Sequence, residues 1–231
     1  GSVESRVVEV LISDSLLNGL VGWWKFDEGS GTVAYDSSGN GNDGNLNNGP
    51  TWTTGKIGGA LSFDGANDFL EVSNKKWFFE NIFSVSMWYW DKGTISLGTA
   101  FSLGRYPMND EILIFSSPSS NVIQLYHHKS ENNWARLSHT SSNLSWNFLV
   151  AVADGGYLES QLKIYVNGVS QNSEYSKAGS PNLLSDNNNR TLRIGRRIWN
   201  DHFYNGLIDD VRIYDRAISA EEVQTLYNMG Q

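Results

Sequence analysis

The residues best suited to chemistry form two alternating runs near the middle of the chain. In residues 122–128, Gln124, Tyr126 and His128 alternate with Ile123 and Leu125. In the next run Trp134, Arg136 and Ser138 alternate with Ala135 and Leu137. Successive side chains of a strand point to opposite faces. If the runs pair as a hairpin, Gln124, Tyr126, His128, Trp134 and Arg136 cover one polar, aromatic face. Such a face suits a sugar: the apolar C–H side of a pyranose stacks on a ring, and Arg, His, Asn or Asp meets the hydroxyls. A solvated outer face would show the same alternation, because a strand must place its polar residues somewhere. Trp199, between Arg196-Arg197 and Asn200-Asp201-His202, is a second stacking candidate at a loop tip, or a lid closing one end of the domain.

A second set is carboxylate. The stretch Asp27-Glu28-Gly29-Ser30-Gly31-Thr32, closed by Asp36, is an oxygen-rich loop of the type that supplies calcium with six to eight oxygens. Asp209 shares strand parity with Leu207, Val211 and Ile213, an apolar set. A carboxylate turned into a core is costly unless it is hydrogen-bonded or metal-bound. Asp27, Asp36 and Asp209 are therefore candidate calcium ligands. The other role open to Asp209 is to accept backbone N–H bonds from the 27–36 loop, and turn formation is the commonest use of the other aspartates. Cysteine is absent, which removes thiolate metal sites and cysteine nucleophiles, and no His/Asp/Glu grouping has zinc spacing.

The elements that must position these residues are short. Runs at 19–26, 60–63, 69–72, 83–90, 112–115, 122–127, 135–139, 148–152, 162–166, 192–194 and 207–214 are β-branched or aromatic, and Gly/Asn/Asp/Ser clusters separate them. That is the pattern of many antiparallel strands in a sandwich. Asn167-Gly168, after the alternating Leu162, Ile164 and Val166, predicts a hairpin turn. Trp24, Phe26, Phe63, Phe83, Val85, Trp88, Phe115 and Ile164 are expected in the core. Residues 27–58 are poor in aliphatics, and so long a loop must be functional or tied down. Ser219 and Glu222 have capping-box spacing, and Val223, Leu226 and Tyr227 follow at i, i+3, i+4, so a helix is predicted over 220–228. The chain's 231 residues fit one domain at 19–231. Gly1-Ser2 reads as the scar of tag cleavage, and 1–18 as a linker or leading helix, from the spacing of Val7, Val8, Leu11, Ile12 and Leu16. That helix either packs on the domain or is the stump of a longer one. The net charge of −8 and pI near 4.9 argue against nucleic acid, whose phosphates need clustered Lys and Arg. No apolar run approaches the roughly 18 residues of a membrane span.

Three segments, in order, resemble the laminin-G-like, concanavalin A-like jelly-roll domains of extracellular proteins. They begin at Gly22-Trp23-Trp24-Lys25-Phe26-Asp27-Glu28-Gly29, at Gly58-Gly59-Ala60-Leu61-Ser62-Phe63-Asp64-Gly65, and at Phe203-Tyr204-Asn205-Gly206-Leu207-Ile208-Asp209-Asp210-Val211-Arg212-Ile213-Tyr214. The resemblance implies an all-β, two-sheet antiparallel jelly-roll sandwich with short N-terminal and C-terminal helical segments. It also implies adhesion or carbohydrate binding more often than catalysis, and often a structural calcium. The Glu-x-Asp-x-(x)-Glu strand of the retaining glucanases that share this fold is absent.

The expected function is thus a non-catalytic, lectin-like carbohydrate-binding module, extracellular or at the cell surface, with calcium as cofactor and a polysaccharide or glycan as partner. Surface proteins are further candidate partners. The rival expectations are a protein–protein adhesion module, such as the head of a pilin-like protein, and a polysaccharide lyase or hydrolase.

Overall fold

The computed structural model describes residues 14–75, 82–92, 98–105, 110–117, 122–130, 133–140, 145–155, 161–171, 173–178, 189–198 and 202–231. Their strands, in chain order, are β1 (Leu20–Trp24), β2 (Val33–Ala34), β3 (Gly44–Asn47), β4 (Thr51–Thr54), β5 (Gly59–Asp64), β6 (Phe69–Lys75), β7 (Ile82–Asp91), β8 (Gly98–Arg105) and β9 (Asp110–Ser117). There follow β10 (Val122–Ser130), β11 (Asn133–Thr140), β12 (Asn147–Asp154), β13 (Leu162–Val166), β14 (Val169–Ser170), β15 (Glu174–Ala178), β16 (Arg190–Ile194) and β17 (Asn205–Tyr214). They form two antiparallel sheets. One has the order β14-β13-β12-β7-β17-β5-β4, with β1 also paired to β17; the other is β15-β11-β10-β9-β8-β16-β6-β3-β2. This is the sandwich the strand spacing predicts.

The main core lies between the sheets. Trp24, Phe26, Phe63, Phe83, Val85 and Ile164 are buried there, as expected. The side chain of Phe115 lies outside the described residues; its backbone stands opposite Gln124 in the ladder. Trp88 is buried too, but in a second cluster with Phe148, Val150, Tyr214, Val223 and Leu226. The partner of that second face is the helix α1 (Ala220–Asn228), whose bounds match the predicted ones. Its capping box is formed: Glu222 N–H donates to Ser219 Oγ, and Ser219 N–H donates to Glu222 Oε2 at 2.8 Å. The central strands of the eight-stranded sheet are therefore covered on both sides.

Residues 14–17 are helical and Leu16 is buried in the same second cluster. Arg216 fastens this turn, donating from Nε to Asn18 O and from Nη2 to Ser15 O, both at 2.7 Å, while it pairs with Glu222. Ser15 Oγ also donates to Glu222. Residues 14–18 thus pack back on the sandwich.

β17 is the hinge of the topology. It pairs with β7 on one side; on the other, residues 205–208 pair with β5 and 211–214 with β1. The change of partner needs a bulge, which falls between Asp209 and Arg212 and puts Asp210 at φ 47°. The bulge corrects the expected parity of Asp209. Ile208, Val211 and Ile213 face the main core, and Asp209 sits opposite Trp88 of the second cluster.

Candidate functional site

The predicted hairpin is present. Tyr126 is directly opposite Arg136, Gln124 opposite Ser138, and His128 opposite Trp134. Leu125, Ala135 and Leu137 fill the core, while Gln124, Tyr126, Arg136 and Ser138 are half-buried on the other face. His128 and Trp134 are placed by this register alone, because their side chains lie outside the described residues. Trp199 lies outside them as well.

The ladder extends this face across the nine-stranded sheet. Tyr126 is opposite Leu113, His128 opposite Glu111, Leu113 opposite Ser102, Ser102 opposite Arg193, and Arg193 opposite Glu71. Leu113, Ser102 and Glu111 belong to neither core cluster, yet each is at most 1% exposed. Part of the cover is the segment after β16. Arg197 Nε donates to Glu111 Oε2 at 2.9 Å, Ile198 N–H donates to Glu111 Oε1 at 3.2 Å, and Ser102 Oγ donates to the same Oε1 at 2.8 Å. Arg193 braces the segment from beneath, with Nη1 donating to Ile198 O at 2.9 Å and Nε to Glu71 Oε2 at 2.8 Å. Arg136 Nε donates to Ser176 Oγ of β15 at 3.2 Å.

Glu111 is the residue that sequence reasoning missed. The signal was available: Glu111 heads the alternation Glu111, Leu113, Phe115, and Arg196-Arg197 is a paired positive charge. Nothing local said that they meet. The charges converge on Tyr126. Burial raises its pKa, Arg197 and Arg136 act against that rise, and Glu111 adds to it. For Glu71, burial pushes the pKa up, but hydrogen bonds from Ser73 and Arg193 outweigh it and the net shift is down.

Of the three candidate calcium ligands, Asp27 and Asp209 hold the 55–59 turn, and Asp36 holds the chain near β1. Asp36 uses both oxygens on the chain: Oδ1 accepts from Trp23 N and Ser38 N, and Oδ2 from Ser38 Oγ and Asn42 N, all within 2.9 Å. It ties the aliphatic-poor 27–58 stretch to β1. Asp27 Oδ1 accepts from Gly59 N at 2.7 Å. Asp209 Oδ2 accepts from Lys56 N and Ile57 N, each at 2.8 Å, so the loop it pins is 56–57 and not 27–36. The approach is close enough to require glycine. A Cβ on Gly55 would lie 2.6 Å from Asp209 Oδ2, and one on Gly58, at φ +66°, would lie 2.2 Å from Asp27 Oδ1. Asp209 Oδ1 is buried and has no hydrogen-bond partner. Burial drives its carboxyl up to about 7, the neighbouring Asp210 adds to this, and the amide bonds from Ile57 and Lys56 oppose it. Among the described residues no group of three His, Cys, Asp or Glu is arranged to hold a metal ion.

Comparison with known proteins places this geometry. The model of the concanavalin A-like lectin/glucanases superfamily matches residues 63–224. Among solved structures, domain 4 of an extracellular GH43 arabinanase from Geobacillus stearothermophilus, in complex with arabinotriose, superposes with a TM-score of 0.69 at 23% identity, covering 92% of this chain and 98% of that one. The binding domain of botulinum neurotoxin DC in complex with SialylT gives 0.67 at 14% identity over 94% of this chain, and its complex with rat synaptotagmin II gives 0.68 at 16% over 92%. The chain spans about half the length of each toxin domain, 53% and 52%. At these identities the likeness shows the fold. A comparison with curated protein sequences returns no match.

Proposed function

Because the chain belongs to the concanavalin A-like lectin/glucanase superfamily, we propose that it is a non-catalytic, extracellular carbohydrate-binding module whose ligand lies on the outer face of the nine-stranded sheet. The observation that carries this reading is the paired β10–β11 face. There Tyr126 and Arg136 stand directly opposite each other, outside a sealed core, beside a segment anchored by Glu111. An aromatic ring next to guanidinium donors is what sugar recognition uses. The arabinanase domain with arabinotriose and the toxin domain with SialylT support a sugar ligand on this architecture.

Two observations support the absence of catalysis. A carboxyl acting as general acid needs a raised pKa, and Glu71 on this face is shifted the other way. Glu111 is fully buried beneath donors from Ser102, Arg197 and Ile198. A structural calcium is a separate proposal centred on Asp209, the candidate ligand with a buried, unpartnered oxygen.

The test is a glycan array followed by calorimetry. Tyr126→Ala and Trp134→Ala should each abolish binding of the glycan that scores, with the melting temperature nearly unchanged. A loss of roughly 3–5 kcal/mol of stability in Trp134→Ala would mark that ring as core. Binding retained by both variants would place the ligand elsewhere. Release of reducing sugar or of an unsaturated product would overturn the non-catalytic reading.

A further inference from the structure

We propose that the outer face of the eight-stranded sheet carries a second carbohydrate site, formed by Trp90, Trp146 and Asn205, that takes one ring of a neutral, soluble glycan chain. This site is independent of the Tyr126 face.

The first argument is where the cover of the sheet stops. Leu61, Phe63, Tyr89 and Ile208 face the main core, so Ser62, Trp90 and Leu207 face outward. Register sets these three in one row, with Leu207 opposite Trp90 of β7 on one side and Ser62 of β5 on the other. The adjacent row is closed. Trp88 is 1% exposed, Tyr227 of α1 stacks on its ring at 5.7 Å, and Gly230 lies so near that a Cβ there would overlap the ring. Trp90, Leu207, Ser62 and the neighbouring Trp146 are only half-buried. Large rings left open to water beside a sealed row mark a contact surface.

The second argument is the arrangement of the rings. Trp90 and Trp146 have centroids 6.0 Å apart and planes at 75°. They make a corner, which holds the C–H face of one sugar against one indole and its edge against the other. A flat crystalline polysaccharide would need coplanar rings. Among the described residues neither indole N–H donates a hydrogen bond, so both donors are left for a ligand. The third argument is the polar rim. Asn205 lies two residues before Leu207 on the same face, opposite Asp64, and its carbonyl accepts from Lys92 N at 3.2 Å. Its side-chain amide makes no hydrogen bond among the described residues and offers a donor beside an acceptor, as neighbouring sugar hydroxyls require. Lys92 Nζ donates to Ser62 Oγ at 3.3 Å, which brings its ammonium to the row. Lys92 and Asp64 thus flank Asn205 with opposite charges, and the rim suits a neutral ligand. A lipid or an apolar peptide would strip these polar groups of water and give them no partners.

The experiment follows the indole N–H signals of the ¹⁵N-labelled protein by NMR during titration with millimolar cellohexaose, xylohexaose, mannohexaose, arabinohexaose and, as the charged control, oligogalacturonate. Trp90→Phe and Trp146→Phe each remove one signal and so assign it. At least one neutral oligosaccharide should shift both signals, and Trp90→Ala should weaken its binding at least tenfold. Tyr126→Ala, which disables the other face, should leave the shifts in place. The titration of the unaltered protein stands even if Trp90→Ala does not fold. Shifts that vanish in Tyr126→Ala, shifts produced by oligogalacturonate alone, or no shift with any of the sugars would overturn the second site. Tyr126-dependent glycan binding without an indole shift would leave the first face intact; indole shifts without any Tyr126-dependent binding would support this site and overturn that one.

Discussion

A carboxylate in the wrong dielectric announces itself, and Asp209 does so in both sequence and structure. Its position among apolar residues marked it as expensive, which was correct. Its face was misassigned, because period-2 counting carries no information about a bulge, and only the switch of β17 from β5 to β1 reveals one. The consequence is testable. The folded carboxyl titrates at about 7 against an ordinary 3.8. Between these values the folded protein holds a proton that the unfolded chain releases, so stability falls as pH rises through that window. Asp209→Asn keeps an oxygen for the Lys56 and Ile57 amides and removes the charge. Urea unfolding in EDTA should show a variant that loses less stability than the parent between pH 4.5 and 7.5. The difference should grow by at most about 1.4 kcal/mol per pH unit. A pH-independent difference would mean that Asp209 is ionised throughout.

At the scale of elements, the two ends of the chain form one structural unit. Helix α1 was legible because its cap and apolar spacing are local, and local signals survive without tertiary knowledge. Its target was not legible: Val223 and Leu226 face Trp88, Phe148 and Val150, brought there by strands 70 to 140 residues earlier. Leu226 is 1% exposed, so Leu226→Ala should cost about 2–5 kcal/mol, measured by thermal or urea unfolding. Because α1 covers the eight-stranded sheet and the proposed ligand face is on the other, glycan affinity measured well below the melting temperature should not change. Loss of affinity without unfolding would place the site on the wrong sheet. The glutamate of the cap also serves the other terminus. Burial would raise Glu222, but its bonds from Arg216, Ser15 and the Ser219 amide outweigh this and bring it down to about 2. Its contribution is present above the ordinary value of 4.5 and is lost as pH falls through 2. Glu222→Gln should weaken the protein at pH 7 by about 1 kcal/mol, since solvent screens a partly exposed pair. It should also raise amide exchange at residues 15–18; unchanged exchange there would assign the docking of that turn to Leu16 alone.

The whole molecule divides its work between its two sheets. The central strands of the eight-stranded sheet carry a buried cluster on each face, and the nine-stranded sheet has one face that carries polar, aromatic and basic residues. That division was readable in the sequence as clean alternation at 122–138, where one side of each strand is apolar and the other is not. The closure of the face by Glu111 and Arg197, 86 residues apart, was not readable, since no local pattern records which loop returns over which sheet. The same holds for the loops at the edge of the eight-stranded sheet. Asp27, Asp36 and Asp209 looked like ligands for an ion, and each holds a stretch of backbone by its amides. An ion bound only to the folded state would add RT ln(1 + [Ca²⁺]/Kd), about 2.7 kcal/mol at a hundredfold excess over Kd, or roughly 5–10 °C for a domain of this length. If calcium occupies the unpartnered oxygen of Asp209, millimolar calcium should raise the melting temperature by that amount over EDTA, and Asp209→Asn should abolish the rise. If the amide bonds alone hold these loops, calcium and EDTA should give the same melting temperature. The aspartates would then be judged by their individual cost, with Asp36→Ala, which breaks four hydrogen bonds, the most damaging of the three.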